Sequence, residues 1–216
     1  MTTFHLDYDH ILQGDFALAK SEGELNFFFV FQVNCPGCFI YGFPLVESLH
    51  QKYKSCGLKV LGISTAFEDF DYNTLANVEL LLSKRKLIGA TKRAIGEVYD
   101  TQSISFPIAS DRLTTEQEMV TSDNLIAICR GLGGYENLLI EAKLELHRKV
   151  AFHLQKLPRT SVTFALNFLR GTPSFILCNR NLEILDHWFG HESEGKVSTR
   201  INKYLQSDVG IAKLRN

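Results

Sequence analysis

Cys35 and Cys38 stand two residues apart, with Pro36 and Gly37 between them. Two thiols at that spacing can carry disulfide exchange: one thiolate attacks a disulfide, and the second resolves the mixed disulfide so formed. The same spacing also occurs as half of a zinc or iron-sulfur site, but such sites need about four protein ligands. The chain holds no second C-x-x-C. His187 and His191 are four apart, yet Gly190 and a hairpin context break any helical face between them, so they read as surface histidines. His147 and His153, six apart, do not share a helix face. No metal and no cofactor is expected.

The pair needs a strand to deliver it and a helix to receive it. Phe27 to Phe31 (FFFVF) are all aromatic or β-branched, which suits a strand covered on both faces. The strand breaks at the cysteines. After them Phe39, Ile40, Phe43, Leu45, Val46, Leu49 and Tyr53 recur at helical spacing, up to a stop at Gly57. Cys35 therefore falls at a strand-to-helix turn, where free N–H groups and the helix dipole favour a thiolate. Cys38 falls one helical turn later, within reach of it.

With 216 residues, 45% of them hydrophobic, the chain can bury a sizeable core as a single domain. A formal charge of −1 and the lack of a basic run point away from nucleic acid and from an anionic membrane surface. The N-terminal MTTFHLDYDHILQGDF shows no basic segment followed by an apolar one, and no stretch approaches the roughly 18 apolar residues of a membrane span. The expected compartment is cytoplasmic. The cysteine count is odd at five, and Cys56, Cys129 and Cys178 are isolated, which does not fit a disulfide framework. Cys129 and Cys178 read as small buried hydrophobes.

In chain order, residues 1–24 are expected to wrap the domain edge, and LKVLGIST, Leu58 to Thr65, to form a second buried strand parallel to the first. Ala66 to Asn73 is a loop rich in acids and aromatics, with Asn73 or Thr74 as cap for a helix carrying Leu75, Val78, Leu81 and Leu82. Ile88, Ile95 and Val98 extend that helix or mark a short second one. Ser105 to Ala109 suits a short third strand whose Pro107 belongs at a strand end or sheet edge. From about Asp111 to Arg170 no strand-like run occurs. A Gly131-Leu132-Gly133-Gly134 break and the pattern Leu138, Leu139, Ala142, Leu144, Leu146, Val150, Leu154 predict two or three helices. Gly171 to Gly190 predicts a hairpin: strand Ser174 to Cys178, turn Asn179-Arg180-Asn181, strand Glu183 to Trp188. Trp188 and Phe189 are expected to pack, and a last helix to run from about Lys196 to Gln206.

The motifs FQVNCPGCFIYGFP, LGISTAFEDFD, FPIASD and RGTPSFILCNRNLEILDHWFGH together resemble the thioredoxin-like superfamily, and more narrowly the redoxin and TlpA-like thiol-disulfide oxidoreductases. The resemblance covers roughly residues 20–110 and 168–205. It implies an α/β fold, with a central mixed β-sheet flanked by helices and a helical insertion at about 111–168 before the cis-proline hairpin. It also implies that Cys35 attacks, that Cys38 resolves, and that Thr172-Pro173 is a cis bond whose loop, with Pro36 and Gly37, meets the substrate. The implied partners are protein or small-molecule disulfides and thiols, and a thiol electron donor.

The chain departs from thioredoxin in two places. Asn34 replaces the tryptophan before the first cysteine, and phenylalanine and valine occupy the strand where thioredoxin buries an aspartate. No acid is thus placed by sequence to take the Cys38 proton; Glu68, Asp69 and Asp71 are within range in principle but read as a solvated loop, and Tyr41 reads as packing. The alternative activity is a peroxiredoxin-like thiol peroxidase reducing hydroperoxides through Cys35. Peroxiredoxins place Thr or Ser three residues before the cysteine and Pro earlier, where this chain has Gln32 and Phe28. A third reading keeps the fold as a binding module that holds a partner on the insertion.

Overall fold

The computed structural model describes the backbone of residues 2–99 and 104–212, and side chains as far as residue 205. In chain order the elements begin with β1 (Tyr8–Gln13), β2 (Leu25–Phe31), a π-helical turn (Cys38–Gly42), α1 (Phe43–Tyr53) and β3 (Leu58–Ser64). They continue with α2 (Leu75–Lys84), α3 (Gly89–Ile95), β4 (Ile108–Asp111), β5 (Leu113–Thr114), α4 (Glu116–Met119), α5 (Ser122–Arg130) and α6 (Ile140–Leu154). Last come β6 (Thr160–Ser161), α7 (Val162–Leu166), β7 (Ser174–Cys178), β8 (Ile184–Phe189) and α8 (Glu194–Ala212).

Every residue of β2 is buried, as a strand with no polar face requires. It lies inside a six-stranded sheet of order β1-β4-β3-β2-β7-β8, parallel to β3 and antiparallel to β7. Strand alternation divides its rings between two cores. Phe27, Phe29 and Phe31 face α1 and α8 with Phe43, Leu49, Phe106, Phe175 and Ile201. Phe28 and Val30 face the other way, with Phe4, Leu61, Ile63 and Ile176, under the N-terminal stretch and Phe164 of α7. Full burial of one such side chain contributes roughly 1.5–3 kcal/mol, so this strand anchors both faces at once. The expected mixed sheet with helices on both faces is present.

Because β2, β3 and β4 run parallel, their C-terminal ends meet along one edge of the sheet. Phe31, Ser64 and Asp111 mark that edge, and the loops leaving it build the site.

Several elements differ from expectation. The N-terminal stretch does more than wrap: β1 pairs antiparallel with β4 as the edge strand, with two register shifts that hid its alternation. The third strand begins at Ile108 rather than Ser105. Pro107 sits just before it and lends its carbonyl to the Gly62 N–H at 2.9 Å, which is the strand-end role foreseen for it. The helix after the cysteines is not uniform. Pro44 has no N–H to give to the preceding turn, and the ladder opens into the π turn ahead of α1. Between β4 and β7 lie four α-helices, two of them very short, and two strand fragments. In these, Leu113 pairs with Ser161 and Thr114 with Thr160. A two-residue strand carries no period, so the sequence could not announce it.

Candidate active site

The three residues between β2 and Cys35 are all tied down. Gln32 is buried; its side-chain N–H donates to the Glu68 carbonyl at 3.3 Å and its amide oxygen accepts from the Thr172 hydroxyl at 3.2 Å. The Val33 carbonyl accepts from the buried Thr91 hydroxyl at 2.8 Å. Asn34 works on three sides. Its backbone N–H donates to Asn73 Oδ1 at 3.0 Å, its Nδ2 to Asp69 Oδ2 at 2.7 Å, and its Oδ1 accepts from the Ala90 N–H at 2.6 Å. Gly89 has φ +50°, and a Cβ there would lie 2.1 Å from Asn34 Oδ1, so only glycine lets α3 approach so closely. The bulky tryptophan of thioredoxin has no counterpart at this position; a small amide instead holds the loop from Asp69 to Asn73 and the start of α3 against the cysteine turn.

Cys35 lies partly exposed and Cys38 is buried. The Cys38 thiol donates to Cys35 Sγ across 2.7 Å, and the Cys38 backbone N–H donates to the same sulfur at 3.3 Å. These donors, the Cys38 thiol first, draw the Cys35 pKa down to about 7 against an opposing effect of burial. Burial and the neighbouring sulfur push Cys38 in the opposite direction, well above the usual thiol range. One sulfur is thus prepared as nucleophile while the other keeps its proton.

Thr172-Pro173 is a cis peptide bond, and the Thr172 carbonyl lies 3.3 Å from Cys35 Sγ. The proline ring rests on the cysteine turn. A Cβ on Gly37 would lie 3.6 Å from Pro173 Cδ and 3.3 Å from the Tyr41 ring. At Gly42 a Cβ would meet the Phe29 ring at 2.7 Å and Pro173 Cβ at 3.5 Å, so this glycine is demanded by close approach. Cys35, Cys38, Pro36, Gly37, Thr172 and Pro173 are therefore gathered at one place.

Tyr41 is not a core residue. It is 40% exposed and packs at a tilt against the His191 ring, centroids 4.9 Å apart, beside Gly37. Phe189 likewise does not bury itself: it is 56% exposed and covers Gly171, whereas Trp188 packs on Phe27 and Phe175 as expected. His187 and His191 are exposed, and Cys129 and Cys178 are fully buried. The acids at Glu68, Asp69 and Asp71 do not reach Cys38; Asp69 is spent on Asn34. Among the described residues no three His, Cys, Asp or Glu side chains converge as a metal site would need.

The sequence reading missed two residues. From the sequence Asn34 reads only as a departure from thioredoxin, although an amide beside a cysteine turn is a ready clamp. Asp111 ends β4 and is buried at the same sheet edge, on the opposite face of the sheet from Cys38. Its polarity in an apolar run was the available signal.

The thiolate argument makes a pH prediction. Alkylation of Cys35 by iodoacetamide, mapped by mass spectrometry, is expected to rise nearly tenfold per pH unit below neutrality and to reach half its plateau at pH about 7. A half-maximum near pH 9 would show that the Cys38 donors do not act on this sulfur.

No family model and no curated protein matches the sequence. Solved structures do. A thiol-disulfide isomerase from Corynebacterium glutamicum is 18% identical, with a TM-score of 0.57 over 94% of this chain and 95% of that one. A thioredoxin-like superfamily protein is 20% identical, with a TM-score of 0.58 over 95% and 97%. Both place the six-stranded sheet and its helices in the thioredoxin-like fold.

Proposed function

We propose that this thioredoxin-fold chain is a thiol-disulfide oxidoreductase, one unit of 216 residues with a helical insertion at about 111–168. The observation that carries the reading is the asymmetric pair itself: a Cys35 sulfur fed by two donors, and a buried Cys38 thiol already aimed at it. The Cys35 thiolate attacks a substrate disulfide, forming a mixed disulfide and releasing one substrate thiolate. That thiolate takes the Cys38 proton. The Cys38 thiolate then attacks Cys35 Sγ, closes the Cys35–Cys38 disulfide and releases the second substrate thiol after it takes a proton from water. The protein is oxidised by two electrons and the substrate reduced by two.

Substrates are protein or small-molecule disulfides, seated across Pro36, Gly37, Thr172 and Pro173. An external dithiol returns the electrons, and a reducing compartment such as the cytosol suits that cycle. The peroxidase alternative has less support, because the Gln32 amide that occupies the hydroxyl position of peroxiredoxins is engaged by Thr172 and Glu68 and faces no substrate.

The test is a redox titration of the pair against a thiol-disulfide buffer, with Cys38→Ser as control. A single two-electron couple is expected, lost in the control. A value near about −270 mV makes the protein a reductant and one near about −120 mV a disulfide donor. If Cys35 and Cys38 never join at any poise, the exchange mechanism fails.

A further inference from the structure

The helices between β4 and β7 have a small core of their own, in which Met119, Ile128 and Leu154 are surrounded by Val150, Leu157, Ala165 and Phe168. That core does not fill the space between α5, α6 and α7. A cavity of about 430 Å³ opens there, in the size range that holds a small organic ligand. Ile128, Leu146, Val150 and Leu169 wall it, and Phe67 forms one side by stacking on Phe164 at 4.1 Å with the rings nearly parallel.

The polar groups of the lining are of two kinds. Ser161 is already satisfied: its hydroxyl accepts from the Ala66 N–H and donates to the Ala66 carbonyl, both at 2.9 Å. Thr160 also lines the cavity, and the remaining polar side chains are basic. Lys149 and His153, one helical turn apart on α6, and Arg159 border the cavity, and its lining contains neither Asp nor Glu. Lys149 is also 3.7 Å from Glu145 in an exposed contact, while Arg159 and His153 make no ion pair among the described residues. An occupant must therefore be apolar over most of its length and anionic at one end.

We propose that this cavity binds a free aliphatic carboxylate, its chain among the apolar walls and its head on Arg159 with His153 and Lys149. The planar guanidinium presents the paired donors that a carboxylate accepts, and the chain gains from leaving water. A peptide or a phosphate suits the site less, because the walls are mostly apolar and the basic side chains of Lys149, His153 and Arg159 are exposed at the rim.

Titration calorimetry with dodecanoate, below its micelle concentration, tests the assignment. One saturable site is expected. Dodecyltrimethylammonium, which has the same chain and the opposite charge, should bind at least about tenfold more weakly. Arg159→Gln, an exposed position, should weaken dodecanoate at least about fivefold, and Ala165→Trp should remove binding by filling the cavity. Should Ala165→Trp fail to fold, Leu146→Trp, from a half-buried position, serves the same purpose. The proposal is overturned by absence of saturable binding, by equal affinity for the two amphiphiles, or by a folded cavity-filling variant that still binds dodecanoate. The redox couple of Cys35 and Cys38 should remain unchanged in Arg159→Gln, which separates this site from the thiol reading.

Discussion

Cys35→Ser is expected to abolish disulfide exchange, lowering the rate by about 10³-fold or more, because a hydroxyl cannot supply the thiolate that starts the reaction. The fold should survive, since the side chain is partly exposed and sulfur and oxygen are close in size. Cys38→Ser should behave differently. Its first attack is retained, but nothing expels the substrate, so a stable mixed disulfide at Cys35 accumulates and is visible by mass spectrometry without reductant. The first step itself should slow, because the serine hydroxyl must replace the thiol that donates to Cys35 Sγ. The opposite pattern, with the substrate trapped on Cys38, would reverse the assigned roles. Equal activity of Cys35→Ser and the wild type would show that Cys35 does not carry the exchange, whereas absence of exchange in both would leave the binding-module reading.

The second large effect concerns stability rather than chemistry. Asp111 is 1% exposed. Its Oδ1 accepts from the Thr163 N–H at 2.8 Å, and its Oδ2 accepts from the Thr65 hydroxyl at 2.8 Å and the Phe164 N–H at 3.2 Å. One carboxylate thus joins the ends of β3 and β4 to the first turn of α7. Asp111→Ala strips a partner from three buried donors, and urea unfolding is expected to show a loss of about 3 kcal/mol or more. For a chain of this size that corresponds to a fall in Tm of roughly 6–12 °C. A loss below about 1 kcal/mol would mean that water reaches the donors.

Asp111 also sets a pH dependence. Burial raises its pKa from 3.8 to about 7 despite the three donors. In the unfolded chain the group ionises near pH 4, so its contribution to stability is complete below that point. It is lost progressively as pH rises to about 7, and is constant above. Asp111→Asn has no such proton. The stability difference between wild type and Asp111→Asn should therefore drift against the wild type from pH 4 to 7 and then level; a flat difference would show that the carboxyl ionises normally.

The central chemistry was legible because it rests on local pattern. A run of five aromatic or β-branched residues can only be a buried strand, and cysteines following it at a Pro-Gly turn must lie where strand becomes helix. The hairpin of β7 and β8 followed in the same way from its turn residues at Asn179 to Asn181, with β8 shifted one residue from expectation. What escaped depends on contacts distant in sequence. β1 finds its partner some hundred positions away, and its register shifts erase the period-two signal. Asn34 makes its meaning only when Asp69, Asn73 and Ala90 arrive, and Asp111 only when α7 presents two free N–H groups to it. Tyr41 and Phe189 were expected to pack because aromatic residues usually do; their exposure follows from standing at the rim of the thiol site, where glycines leave no depth to sink into.

The pairing of β5 with β6 has a consequence beyond structure. The chain leaves the six-stranded sheet at Asp111 and rejoins it at Ser174, and between those points β5 clasps β6. Along the chain, the residues between Thr114 and Thr160 form a loop closed by that clasp, and the loop packs through Ile128 and Leu154 on Ala165 of α7 and on Phe168. Its length enters the folding free energy only logarithmically, about 0.6 kcal/mol for each doubling. A change of length inside the loop is therefore expected to leave the register of the six-stranded sheet in place, since all of its strands lie outside the loop.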